Sequence, residues 1–281
     1  RKSFGEPWSL ILAGFALASF ARALDQLHND GWRSAQTLGA FAVALAAVVA
    51  CGFVVRRMRN PSLSVTTLKS PPALVLLFGA LVISMADTLV YITIALEYLY
   101  DLTPLQASLA LIPAEAAGVI GARFFAAGLM HRFGSARASS IGFLAFAASA
   151  LSLVLVQADS PAWVLIATAA VLTAMGGMAA TINNAEVMRL SPPDADGMQS
   201  AYRGAASALG SAVSILVLGT GILTVTKLSA GPGAMTPLET EAVAQGVREE
   251  GLISALFMVA AWAAYMWISR RSRWAILDSN Q

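Results

Sequence analysis

The sequence predicts an all-α, polytopic membrane protein with eight transmembrane helices, and three observations predict it. Eight apolar stretches, each close to twenty residues, fill the 281-residue chain, and almost all charge lies in the short segments between them. At about 1.5 Å per residue, each stretch reaches across a hydrocarbon core of about 30 Å. Composition agrees, because 57% of residues are hydrophobic and only 12% are charged, against about 25% charged in soluble domains. Finally, the stretches are long and continuous rather than short and alternating. In lipid every backbone polar group needs an internal partner, so such spans are helices and not barrel strands.

The stretches are Trp8–Leu24, Ala35–Val55, Ala73–Ala95, Leu105–Met130, Ser139–Gln157, Trp163–Asn183, Met198–Leu223 and Gly251–Ser269. The first two, joined by DQLHNDGW, make a unit over residues 1–60. The basic, proline-bearing run RRMRNPSLSVTTLKSPP follows, which a helix would not cross unbroken, so residues 61–72 read as a linker. The other six stretches form one bundle over 73–270, with residues 271–281 as a tail.

Within the bundle, the third and fourth stretches meet at a tight turn, Tyr100 to Pro104, and the fourth and fifth at HRFGSAR. The segment EVMRLSPPDADG joins the sixth to the seventh. Residues 224–250 form the one long connection, and its TPLETEAVAQGVREE predicts a short surface helix with a Thr cap and an acidic first turn, too polar to insert. Thr173, Gly177 and Thr181 in the sixth stretch recur every four residues, as do Ser200, Gly204, Ala208 and Ala212 in the seventh. Small residues at that spacing let helix backbones approach closely in lipid. Static packing and a sliding surface both fit them.

With both ends in the cytoplasm, inner segments hold Arg1, Lys2, Arg56, Arg57, Arg59, Lys69, Arg132, Arg137, Arg189, Arg270, Arg271 and Arg273. Outer segments hold Arg33, Lys227 and Arg248. That bias sets the orientation by the positive-inside rule and places the chain in the cytoplasmic membrane as a multi-pass protein. The net charge of +2 adds little. The single cysteine, Cys51, lies among small apolar residues of the second stretch and reads as packing. The chain opens on Arg1 rather than Met, so a fragment is expected.

Three phrases carry a resemblance. LTPLQASLALIPAEAAG, GLMHRFGSAR and MGGMAATINNAEVMRLSPPDADGMQSAYRGAASALGSA resemble, in content and order, the C-terminal portion of the fourteen-helix drug:proton antiporters of the major facilitator superfamily. The resemblance implies that the first two stretches are the extra helices between two halves. It also implies that the other six are the C-terminal half, built from inverted three-helix repeats. It places the third and fourth stretches along a cavity, the fifth and eighth against lipid, and GLMHRFGSAR, with Arg132, Gly134 and Arg137, at the inner-loop signature. The family commonly has an acidic residue where this chain has His131. A six-helix N-terminal half is the implied missing partner, and without it this chain should not transport.

Ionisable residues inside membrane helices are costly, so each is a functional candidate. Asp87 lies about 21 Å from the inner end of the third stretch and Glu115 about 15 Å from the outer end of the fourth. Asp87, Tyr91 and Tyr98 project from nearly one side of their helix, and Ser108, Glu115, Ala122 and Ala126 do so on theirs. A carboxyl shielded from water favours its protonated form and yields the proton when water or a cation arrives, which is what proton exchange requires. An apolar cation could compete for the same carboxylate, with Tyr91 or Tyr98 adding a cation–π surface. The alternative is a carboxylate paired with Arg or bonded between helices. Arg123 is too far along its helix from Glu115 for a simple pair, and snorkels inward or meets the HRFGSAR turn. Arg203 could meet Asp194 or Asp196 as a gate, or simply anchor the inner end. Asn183 and Asn184 are expected to cap the sixth helix, with lining of the inner mouth as the alternative.

These readings converge on part of a secondary-active exporter, moving hydrophobic or cationic compounds outward in exchange for protons. A non-transporting scaffold or subunit, and an exporter of one metabolite or lipid, are the alternatives. An enzyme is not indicated: His28 and His131 lie in loops, no HExxH is present and no nucleophile sits in a glycine-flanked elbow. No cofactor is expected. Nucleic acid is excluded as a partner because the basic residues follow a membrane edge rather than a groove.

Overall fold

The computed structural model describes residues 34–57, 71–85, 89–190, 203–208, 210–211 and 235–278, with isolated positions between 11 and 26. Asp87, the linker, and most of the seventh stretch, including Ser200 and Ala212, lie outside the described residues, as do Asp194 and Asp196. Every described element is helical. Among the described residues five helices are long and apolar enough to cross a membrane, and the third stretch adds two shorter helices on either side of residues 86–88.

The second stretch is α1, Ala35–Arg57. Its Ala44 and Ala47 are buried, as are Ala16 and Ala23 of the first stretch. Phe41 meets the Phe20 ring edge-on, with centroids 6.0 Å apart. The third stretch is α2, Pro71–Met85, followed by α3, Leu89–Tyr100.

After α3 the chain turns sharply at Asp101, whose φ of 53° is a left-handed conformation that Asp tolerates. A capping box then starts α4, Pro104–Ala110: Gln106 N donates to Thr103 Oγ1 and Thr103 N to Gln106 Oε1. Pro113 cannot donate a backbone hydrogen bond, and the helix breaks at Leu111 before resuming as α5, Ile112–Ile120. A π-helical turn, Gly121–Phe125, leads into α6, Ala126–Phe133. Gly134, with φ 74°, makes the turn into α7, Ser135–Leu151, which ends in a 3₁₀ turn to Leu155.

The helix α8, Ala162–Leu190, is the hub of the bundle. It packs on α2, α3, α5, the π turn and α7. Apolar side chains from α2, α3, α7, α8 and the last helix share one core, including Val82, Ile92, Leu96, Phe143, Phe146, Leu165 and Met258. The last helix, α9, runs unbroken over Pro237–Asp278. The predicted Thr cap holds, because Thr236 N donates to Glu239 Oε2 and Glu239 N to Thr236 Oγ1.

Three expectations change. The polar segment after Thr236 is not a separate surface helix, since its 42 residues run on through the eighth stretch, about 63 Å of helix where about 30 Å spans the core. The sixth helix continues to Leu190, so Asn183 and Asn184 lie inside it and cap nothing; hydropathy falls before the hydrogen-bond ladder stops. The fifth stretch does not simply face lipid, because half of its most apolar window is buried and only a strip including Ile141, Leu144 and Leu151 is exposed.

Candidate functional site

The small-residue face of the sixth stretch determines where α5 sits. A Cβ on Gly177 or on Gly121 would overlap backbone of the partner helix, at Gly118 and Ala174 respectively. Thr173 Oγ1 donates across the same interface to the Ala114 carbonyl oxygen at 2.5 Å. Close backbone approach of this kind is the packing that small residues permit in lipid. The seventh stretch uses a different face from the one its spacing suggested. Gly204 has open space around it and Ala208 is exposed, whereas Gly210 lies against the Leu81 backbone and Ser207 Oγ is 2.6 Å from Ser84 Oγ on α2.

Beside the α5–α8 contact lies a cavity of about 330 Å³ lined by Ser84, Leu89, Glu115, Phe146, Thr173 and Gly176, among others. Among the described lining residues Glu115 is the ionisable one. Its side chain is exposed on the flank of α5, on the arc between Ile112 and Val119, which are 57% and 67% exposed. Apolar neighbours there need no partner in lipid, but a carboxylate facing acyl tails costs several kcal/mol at about that depth.

The other sequence candidates separate. Tyr91 is buried in the core and Tyr98 half-buried, so Tyr98 alone offers accessible ring surface. Neither lines the cavity. Arg123, in the π turn, is exposed and does not line it either. At the Gly134 turn Arg132 is exposed with its guanidinium 5.3 Å from the Phe133 ring centre, and Arg137 is exposed too. Arg203 is half-buried. Among the described residues no group of His, Cys, Asp and Glu could hold a metal ion.

Two buried acids were missed, Glu186 because it was read as loop and Glu250 because it was read as the end of a polar surface helix. Glu186, on α8, is 1% exposed. Arg189 grips it with two bonds, Nε to Oε2 at 2.7 Å and Nη2 to Oε1 at 2.6 Å, and Tyr265 of α9 donates to it at 3.3 Å. Glu250, on α9, is also 1% exposed. The Glu-x-x-Arg spacing would have signalled the first; nothing local signals the second.

The Major Facilitator Superfamily profile matches residues 4–215. The chain belongs to the Major Facilitator Superfamily. Membership makes it a multi-pass membrane protein of a secondary-transporter family, whose members are transporters rather than enzymes. No curated protein matches the chain. In the superfamily setting, the cavity between α2, α3, α5, α7 and α8 is the natural candidate for a transport site.

Proposed function

We propose that this chain is part of a secondary-active exporter that moves hydrophobic or cationic compounds outward in exchange for protons. The observation that carries the reading is the placement of Glu115, an acid on the wall of a cavity otherwise lined by apolar and small side chains. A proton and a cationic substrate would compete for that carboxylate, and each would displace the other as water enters or leaves. Phe146 and the Thr173 hydroxyl supply apolar surface and one oriented dipole on the same wall. Asp87, two residues before Leu89 of the lining, is proposed as a second acid at this site on sequence position alone.

Alternating access requires a partner for the exposed flank of α4 to α6, where Leu105, Ile112, Val119 and Phe124 stay open beside Glu115. A further set of helices, corresponding to the six-helix N-terminal half, is the proposed partner, with Arg132, Arg137 and Arg203 at the inner edge of the joint. The sixth-helix part of the docking surface that a scaffold would use is taken by α5.

The test is Glu115→Gln in the full-length protein reconstituted in liposomes, with ethidium as probe. A pH gradient should drive ethidium transport in the parent and not in the variant, while both reconstitute equally. Undiminished proton-driven transport by E115Q removes Glu115 from the coupling role.

A further inference from the structure

The carboxyl of Glu250 is enclosed at the end of the bundle that carries the Tyr100 and Ser160 turns. Its residue is 1% exposed, and among the described residues neither carboxyl oxygen has a hydrogen-bond partner. One turn on, Ser254 is 3% exposed with its hydroxyl likewise unbonded, so the two polar groups share one face of α9 at i, i+4. The enclosure is tight because Gly251 brings α9 onto the end of α7: a Cβ there would lie 2.6 Å from the Ala150 carbonyl oxygen and 2.8 Å from Leu153 Cβ.

Among the described residues, the elements packed on α9 offer no counter-charge. The α7 helix and its 3₁₀ turn carry one ionisable residue, Arg137, at the opposite end. None lies on α2. On α3 the ionisable side chains are Tyr91, Glu97, Tyr98 and Tyr100, and none bonds to Glu250. On α9 itself Arg248 pairs with Glu241, and Glu249 accepts from Gln245. An ionised carboxylate enclosed without a partner is among the costliest groups in a protein, and it is relieved by neutralisation.

We propose that Glu250 is a proton-binding site, occupied in this conformation and distinct from the cavity at Glu115. The acid is held as COOH while α9 lies against α7. When the two helices part at Gly251 and water reaches the carboxyl, the O–H bond breaks, the electron pair stays on the carboxylate, and the proton leaves to water. The site is a property of the α7–α9 contact and stands whether or not Glu115 couples transport.

Infrared spectroscopy of the full chain in lipid tests this without a substrate. At neutral pH the parent should show a protonated-acid C=O stretch, sensitive to deuterium exchange, that Glu250→Gln lacks. Should E250Q fail to reach the membrane, Glu250→Asp must retain the band at a shifted frequency. Spectra of parent and E250Q that coincide in the acid region, or a band that E250D leaves unmoved, overturn the proposal.

Discussion

The two ends of the bundle treat a buried acid in opposite ways. Glu186 and Glu250 are equally hidden, at 1% exposure each. Glu186 is gripped by Arg189, whose side chain stays 55% exposed, and touched by Tyr265; Glu250 has no bond at all among the described residues. Burial alone therefore says little about what an acid does. The tied carboxylate links α8 to α9 and keeps its charge at the Gly134 end, whereas the untied one depends on how tightly α9 lies on α7. One end is a fastening, the other is a place where charge state and helix contact depend on each other.

Opening the untied end should have the largest effect. Gly251→Leu forces a side chain into the Ala150 carbonyl and Leu153, and should destabilise the bundle by about 3 kcal/mol, seen as a lower melting temperature in detergent. A melting curve that matches the parent would mean α9 and α7 separate easily there, and the enclosure of Glu250 would lose its basis.

Neutralising each acid in turn sharpens the contrast. Glu186→Gln removes charge from a two-bond ion pair and should cost about 1.5 kcal/mol, discounted for the exposure of Arg189. Glu250→Gln replaces one neutral group by another and should stay within about 0.5 kcal/mol of the parent. Equal losses in the two melting curves would erase the distinction drawn between the ends. The smallest change is Tyr265→Phe, which deletes a 3.3 Å bond to Glu186 and should cost about 0.5 kcal/mol. A larger drop would show the α8–α9 fastening to rest on the tyrosine rather than on Arg189.

Much of the architecture was legible residue by residue. The Thr236 cap, the Tyr100 turn and the glycine turn at HRFGSAR all follow from local chemistry, and the structure has each of them. The small-residue face at Thr173 and Gly177 was legible too, though not its partner Gly118. Helix ends were less so. Hydropathy falls at Asn183 and rises again at Gly251, but hydrogen-bond ladders run through both positions, so Glu186 was read as loop and Glu250 as the end of a polar surface helix. Glu115 was found by sequence and the resemblance implied a cavity along its helix; which side chains share that cavity with it was not legible.

By itself, the order of apolar and charged residues determined that this protein is helical, crosses a membrane several times and turns where Gly, Pro and Thr require it, because those preferences act over a few neighbouring residues. Only the tertiary structure decided which acid is paired, which is enclosed and which meets a cavity. Those outcomes depend on groups from helices far apart in the chain, and the energy of a carboxyl is set by what surrounds it in space rather than by what stands beside it in sequence.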